Sequence, residues 1–264
     1  MEVTRQKIWD LCSQVQGSRP LIHCITNYVT MNDCANILLA AGASPTMAHH
    51  PKEVAEVTQG CNSLVCNLGA TDDYEAMLVA VKAAKEAGHP IVIDPVGVGG
   101  SSFRREQFWK LLELAKPTCV RGNLSEIQAL VENRTTVTGV DAAADILTLE
   151  NKDSLVKSFS KKIGCIVTAS GAVDIISDGE QCLHVMYGTP ELTRITGCGC
   201  MSSALIAAYL AAENSIEAVA SACAVMGICG ELAEEKTKEQ QGGTMTFRVQ
   251  LIDQISLLRK TKMV

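Results

Sequence analysis

The sequence predicts an α/β fold, a three-layer sandwich in which helices cover both faces of a mostly parallel central sheet. Short apolar runs typical of buried strands alternate with helical patterns along most of the chain. Two late runs at 173–176 and 182–186, joined by the turn at 177–180, predict an antiparallel hairpin at the end of the sheet. With 264 residues, of which 47% are hydrophobic, the chain can bury one large core. We therefore expect a single domain over residues 1–264.

The predicted helices begin with residues 1–16, where apolar side chains recur at helical spacing. Asn32 or Asp33 is expected to cap the next helix, which ends at Ala41, and residues 45–51 are expected to form a loop. No element is assigned from residue 133 to residue 152. The other helices are predicted at 51–58, from a capping box of Asp72 and Glu75 to Gly88, after the glycine-rich segment 95–100, from Asn123, after the turn 196–200, at 216–238 and at 246–260.

The strands of the predicted sheet are short, apolar and bounded by turn residues. Parallel strands of this kind lie with their carboxyl ends at one edge of the sheet, where α/β proteins bind their ligands. The predicted parallel strands are residues 21–25, 63–67, 90–94, 118–121 and 164–168.

Composition and charge limit the classes of partner. The net charge of −6 disfavours nucleic acid and anionic membranes, because both bind basic surfaces. The N-terminal residues show no apolar targeting region, and no apolar run approaches the ~20 residues that span a bilayer. The sequence therefore predicts a cytoplasmic protein with a small-molecule substrate.

The chain contains 12 cysteines, most of them within apolar runs. Such cysteines are typical of buried thiols in a reducing compartment. Cys198 and Cys200 have no second ligand pair at zinc-binding spacing, which disfavours a zinc site.

A glycine-spaced turn at 196–200 leads directly into an Ala-rich helix. Unpaired backbone N–H groups and the helix dipole favour anions at such a start, and Gly197 and Gly199 would allow a ligand to approach the backbone. Cys200 follows in the first turn. Small residues at a helix start can also serve close packing alone, so the remaining residues must decide between the two interpretations.

Polar side chains follow the apolar strands at their carboxyl ends. They are Asn27, Asn67, Asp94, Arg121 and Thr168. The asparagines could instead form turns, and Thr168 could simply end a strand. If the strands are parallel, all five residues lie at the edge where ligands bind.

Several of these residues suit phosphoryl transfer. Asp94, after a buried strand, can hold Mg²⁺ through water, and the fork of Arg121 matches phosphate oxygens. Asn123 and Glu126 have the spacing of a capping box, which would also direct Glu126 toward the same crevice. Asp94 could instead form an Asp-Pro turn, and Arg121 a surface ion pair. A P-loop motif is absent, and the glycines at 97–100 do not match the dinucleotide fingerprint.

With these residues assembled, the sequence closely resembles the hydroxyethylthiazole kinase family, the thiamine-salvage branch of the ribokinase-like superfamily. The resemblance extends from residue 21 to residue 212 and depends on the order and number of its motifs. The matching segments are LIHCITNYVTMNDCAN (21–36), AGASPTM (41–47), VIDPVGVG (92–99), RGNLSE (121–126), VTASG (167–171) and TGCGC (196–200).

The resemblance implies ATP-dependent phosphorylation of the primary alcohol of 4-methyl-5-(2-hydroxyethyl)thiazole, with Mg²⁺, by a homotrimer. Arg121, Thr168 and Asn123 are expected to bind ATP, and Asp94 and Glu126 to serve the metal. The residues expected to line the alcohol pocket are Met47, Gly197, Asn27 and Gly69.

Cys200 is the expected catalytic residue, but its chemistry stays open at this point. Most of the superfamily has Asp there as the base, whereas the resembled family has Cys. Three alternative functions also remain: a kinase for hydroxymethylpyrimidine or pyridoxal, an enzyme with Cys200 as nucleophile, and a nucleotide-binding module without activity.

Overall fold

The computed structural model describes residues 2–133 and 148–258. Its strands form one eight-stranded sheet in the order β2-β1-β3-β4-β5-β6-β7-β8. The strands are β1 (Leu21–Ile25), β2 (Ser44–Thr46), β3 (Ser63–Asn67), β4 (Ile91–Asp94), β5 (Cys119–Asn123), β6 (Ile166–Ser170), β7 (Asp174–Ser177) and β8 (Cys182–Val185). The first six strands pair in parallel, and β7 and β8 add the antiparallel hairpin.

Helices cover both faces of this sheet. They are α1 (Arg5–Ser18), α2 (Met31–Ala41), α3 (Val54–Gln59), α4 (Tyr74–Ala87), α5 (Ser102–Leu114), α6 (Leu124–Glu132), α7 (Leu149–Ile163), α8 (Cys198–Ala212), α9 (Ile216–Glu239) and α10 (Thr244–Ser256). One core cluster packs α1, α2, α8, α9 and α10 against one face, and a second packs α3 to α7 against the other. The predicted three-layer α/β fold with a late hairpin is thus confirmed.

The central strands are buried on both faces, as their apolar sequences predict. Every residue of β3 and β4 is buried, since helices cover both sides of a parallel sheet. The register places Asn67 beside Asp94 at the carboxyl ends of β3 and β4, and Arg121 beside Thr168 two residues before the ends of β5 and β6. The parallel register therefore fixes the edge of the sheet at which the polar side chains gather.

The predicted cap of α2 is wrong. α2 begins at Met31, before Asn32 and Asp33, because Asn27 Oδ1 already accepts the Thr30 N–H at the helix start, 3.2 Å away. Asp33 is instead buried and pairs with Arg248 of α10.

The capping box expected at Asp72 is also wrong. A 3₁₀ turn, Thr71–Asp73, precedes α4. The N-cap residue of α4 is Asp73, and its side chain makes no capping hydrogen bond to the helix. The 3₁₀ turn takes Asp72 out of the cap position.

Two boundaries differ from the prediction. The predicted loop at 45–51 gives its first residues to the short edge strand β2. α10 ends at Ser256, and the predicted end at residue 260 lies outside the described residues.

Among the described residues, α9 is the one helix whose length and composition would allow it to cross a membrane. In the fold 78% of its most apolar window is buried, and it packs on α8 and α10 within the first core cluster. Its apolar composition is accounted for by this core position.

Candidate active site

Four of the five polar residues predicted at the strand ends meet at one edge, and Thr168 is the exception. Asn67 ends β3, Asp94 ends β4 and Arg121 lies near the end of β5, while the first turn of α8 crosses this edge. Asn67 and Asp94 are 1% and 0% exposed. Polar groups buried so completely must find partners in one another or in a ligand.

The start of α8 needs its glycines. Gly197 has a φ of +88°, and a Cβ there would lie 2.9 Å from Cγ2 of Thr30. No side chain caps the helix, and its first turn carries no acidic residue. Its N–H groups are therefore available to an anion, as the turn at 196–200 predicts.

Gly199 brings this turn against Arg121. A Cβ added at Gly199 would lie only 2.5 Å from Nη1 of Arg121. Since that contact is shorter than side chains tolerate, the guanidinium and the helix start can approach this closely only because residue 199 has no side chain. The two positive groups thus lie side by side.

We expect Gly199→Ala to raise the KM for ATP about tenfold, because the new methyl group must displace the guanidinium from the helix start. The measurement is steady-state kinetics with each substrate varied in turn. Gly17→Ala is the control, since a Cβ at Gly17 meets no atom within 4 Å. An unchanged KM for ATP in a folded Gly199→Ala protein would contradict this arrangement.

Asp94 carries the most perturbed carboxyl group of the cluster. Burial raises its pKa from 3.8 to about 6, against the opposing effect of the Arg121 guanidinium. Its Oδ2 accepts a hydrogen bond from Ser203 Oγ at 2.7 Å, whereas its buried Oδ1 has no partner among the described residues. A carboxylate with one free buried oxygen is a fitting ligand for a cation or its bound water.

The raised pKa of Asp94 predicts an acid limb in the activity. The carboxylate is ionised above a pH of about 6 and takes up a proton below it. Because only the ionised form can hold a cation, kcat/KM should fall as the pH drops through about 6. A pH profile of kcat/KM in the free enzyme measures this limb.

Ser203→Ala separates this titration from that of ATP, which is the same for both proteins. The Ser203 hydroxyl favours the ionised form of Asp94 and lowers its pKa, so removing it should move the acid limb to higher pH. Superimposable limbs in the two proteins would assign the titration to ATP and contradict the assignment to Asp94.

Arg121 is held from one side only. Its Nη2 donates to Ser170 Oγ at 2.7 Å, and its buried Nε has no partner among the described residues. Asp94, Asp174 and Glu126 raise its pKa against the effect of burial. The guanidinium therefore keeps both its charge and a free donor for an anion.

The predicted capping box of α6 is present. Asn123 Oδ1 accepts the Glu126 N–H at 2.8 Å, and Glu126 Oε2 accepts the Asn123 N–H at 2.9 Å. Glu126 Oε1 also accepts the Gly97 N–H at 3.0 Å. Glu126 thus ties the glycine segment after β4 to the start of α6, and both of its oxygens already have a backbone partner.

Cys200 lies within the same cluster and is 8% exposed. Burial and the nearby Asp94 carboxylate raise the pKa of its thiol. Asn67 Nδ2 donates to its sulfur at 3.1 Å. A cysteine in this state is protonated at neutral pH, so it is not an activated nucleophile.

A cavity of about 500 Å³ opens beside the cluster. This volume suits a small organic ligand. Ser170, the partner of Arg121, lies in its wall, so the cavity and the charged cluster share a boundary. The lining residues are Asn123, Leu124, Ser125, Leu149, Lys152, Ala169, Ser170, Gly171, Ala172, Val173, Ile175 and Thr193.

Some predicted site residues lie outside these contacts. Thr168 is fully buried, and its Oγ1 lies 3.8 Å from Cys119 Sγ in the core. Met47 packs against the first core cluster. Gly69 and Asn27 do belong to the cluster, because Gly69 N and Asn27 Nδ2 both donate to the side chain of Asn67.

Two serines of the cluster were not predicted as site residues, and Asn67 was predicted only as a polar residue at the ligand-binding edge, without a role. Ser203 binds Asp94, Ser170 binds Arg121 and Asn67 binds Cys200. The signal that placed Asn67 at this edge is its position at the end of an apolar strand, like that of Asp94. The two serines have no such signal, as they lie within a helix and a strand of small residues.

The fold and site together define a small-molecule kinase of the ribokinase-like fold. A ribokinase-like superfamily protein from Enterococcus faecalis has this fold, with a TM-score of 0.61, 13% identity, and coverage of 96% of this chain and 94% of that one. The profile of the hydroxyethylthiazole kinase family matches residues 12–261. The chain belongs to this family.

Individual relatives agree with this placement. The hydroxyethylthiazole kinase of Clostridium acetobutylicum is 45% identical over 249 residues, which cover 91% of each chain. The solved hydroxyethylthiazole kinase of Pyrococcus horikoshii is 34% identical, with a TM-score of 0.87, and the match covers 97% of this chain and 95% of that one. A pyridoxal kinase of Bacillus subtilis, at 19% identity and a TM-score of 0.59, shares the fold alone.

Proposed function

We propose that this kinase transfers the γ-phosphoryl group of ATP to the primary hydroxyl of 4-methyl-5-(2-hydroxyethyl)thiazole. The observation that carries the proposal is the meeting of Asp94, Arg121 and the uncapped start of α8 at one edge of the sheet. Phosphoryl transfer depends on positioning and charge neutralisation, and these groups supply both. The named relatives are hydroxyethylthiazole kinases, which supports the choice of alcohol.

The neighbouring cavity is proposed as the site for the nucleoside of ATP. Asn123 and Ser170 in its wall lead toward Arg121, which would bind the phosphate oxygens. Thr168 is buried two residues before Ser170 in β6. It would therefore act on the nucleotide indirectly, by holding the strand that carries Ser170. The transferred phosphoryl group would then contact both Arg121 and the N–H groups of residues 197–200, which lie side by side.

Mg²⁺ is the proposed metal. Among the described residues no group of three or more His, Cys, Asp or Glu could hold an ion, and Mg²⁺ needs only one or two carboxylates because it keeps several waters. The free Oδ1 of Asp94 fits this requirement. Glu126 would bind a water of the hydrated ion and at the same time keep its hydrogen bonds to the backbone N–H groups of Gly97 and Asn123. The ion would neutralise phosphate charge.

The alcohol would lie on the other side of the α8 turn. Met47, Gly197, Asn27 and Gly69 are the proposed lining residues, with Cys200 next to the reacting hydroxyl. In a loose transition state the alcohol loses its proton late, so no strong base is needed at this position. We also propose a single-domain, cytoplasmic protein that assembles as a homotrimer.

ADP release tests the function. We expect release with the thiazole alcohol in large excess over release with hydroxymethylpyrimidine or pyridoxal, each offered at the same concentration with ATP and Mg²⁺. The same assay without alcohol is the control. A preference for either of the other alcohols would reassign the substrate, and the same rate without alcohol would refute the transfer.

A further inference from the structure

We infer that Asn67 is a positioning residue for the thiol of Cys200, with Asn27 as its second support. This inference rests on the proposed function, in which Cys200 lies beside the reacting hydroxyl. It assigns a role to a residue of β3 that has no expected contact with either substrate. It also explains why an asparagine amide is completely buried at the end of a strand.

Two amide groups converge on the sulfur. Asn67 Nδ2 lies 3.1 Å and Asn27 Nδ2 lies 3.6 Å from Cys200 Sγ. The two amides come from different parts of the chain, since Asn67 ends β3 and Asn27 follows β1. A thiol bound from two directions loses the rotational freedom that a buried cysteine otherwise keeps.

The orientation of the Asn67 amide is fixed by its own partners. Its Oδ1 accepts the Gly69 N–H at 2.9 Å and the Asn27 Nδ2 group at 3.3 Å. Because Gly69 N can only donate, the oxygen of Asn67 must face it, and the NH₂ group must face the sulfur. The donor role of Asn67 toward Cys200 therefore follows from the network.

Gly69 makes this arrangement possible. A Cβ at residue 69 would lie 2.8 Å from Asn67 Oδ1 and 3.2 Å from Asn27 Nδ2. The absent side chain lets the backbone N–H reach the oxygen of Asn67. A three-part support of Gly69, Asn67 and Asn27 thus lies behind the sulfur.

This support has consequences for catalysis. The two amide N–H groups occupy the two lone pairs of the thiol sulfur. The S–H bond is therefore directed away from the two amides. The hydrogen bonds of Thr30, Asn27 and Asn67 also favour the thiolate and oppose the rise in the pKa of Cys200 that burial causes. Removing an amide should therefore slow the chemical step and leave ATP binding unchanged.

A double-mutant cycle tests the inference. Asn67→Ala should lower kcat about tenfold when Cys200 is present, with the KM for ATP within about twofold of the wild-type value. In a Cys200→Ala background the same change should lower kcat less than about twofold, because its target is gone. Asn36→Ala, an amide on the outer side of α2 that donates to Asn32, is the matched control.

Equal fold-reductions of kcat in the two backgrounds would overturn the inference, since Asn67 would then act without the sulfur. A tenfold rise in the KM for ATP would overturn it as well. If Asn67→Ala does not fold, the same cycle with Asn27→Ala decides, with a smaller expected loss because its contact is longer. Wild-type protein without alcohol-dependent ADP release would instead refute the proposed function.

Discussion

Replacing Arg121 by alanine should raise the KM for ATP at least about tenfold, while the KM for the alcohol stays within about twofold. The guanidinium lies against Gly199, and its buried Nε has no partner among the described residues. It therefore has an unused hydrogen-bond donor next to the anion site at the start of α8. Loss of a charge-assisted bond to phosphate costs ~1.5–3 kcal/mol, which corresponds to a tenfold change or more. Steady-state kinetics with each substrate varied in turn gives both constants.

Arg121→Lys refines this prediction. Lysine keeps the charge but not the planar fork that binds Ser170 and a phosphate oxygen together, so its KM for ATP should lie between those of the wild type and Arg121→Ala. Arg5→Ala, at the exposed start of α1, is the control and should leave both constants unchanged. Equal rises in the two KM values for Arg121→Ala would contradict its assignment to the nucleotide.

Asp94→Asn should lower kcat about a hundredfold or more. Asparagine retains the shape of the side chain and can still accept the Ser203 hydrogen bond, but it has lost the negative charge that would hold the hydrated cation. The effect should appear mainly in kcat, because charge neutralisation matters most as the phosphoryl group is transferred. Single-turnover measurements at saturating ATP and alcohol report this step.

Two comparisons make the Asp94 prediction specific. Asp10→Asn, on α1 where Asp10 accepts from Gln6, changes the net charge equally and should leave kcat unchanged. Thermal unfolding of Asp94→Asn checks that the protein is folded. A folded Asp94→Asn protein with kcat within about fivefold of the wild type would exclude Asp94 as the residue that holds the metal.

The sequence predicted the fold because its strands are buried on both faces. β3 and β4 read as continuous apolar runs with a polar residue at the end, and the parallel arrangement then places these ends at one edge. Asn67, Asp94 and Arg121 are therefore predictable from the sequence as members of one site. The start of α8 was also predictable, because Gly197 and Gly199 lack the side chains that would keep other groups away from its backbone.

The contacts within the site could not be predicted in the same way. Ser203 reaches Asp94 across 109 residues of sequence, and Asn67 reaches Cys200 across 133. Such pairs depend on how α8 packs on the sheet, and no local pattern records that packing. Local preference misled at Asp72, where a 3₁₀ turn took the place of the expected cap.

The central claim is that one site at this edge couples ATP cleavage to phosphorylation of the alcohol. Its most direct test is the simultaneous measurement of ADP and of phosphorylated thiazole alcohol, by chromatography and ³¹P NMR, in wild-type protein and in Asp94→Asn. We expect equal amounts of the two products in the wild type, no ADP when the alcohol is left out, and neither product at a comparable rate in Asp94→Asn. ADP formed without phosphorylated alcohol, or undiminished formation of both products in Asp94→Asn, would contradict the claim.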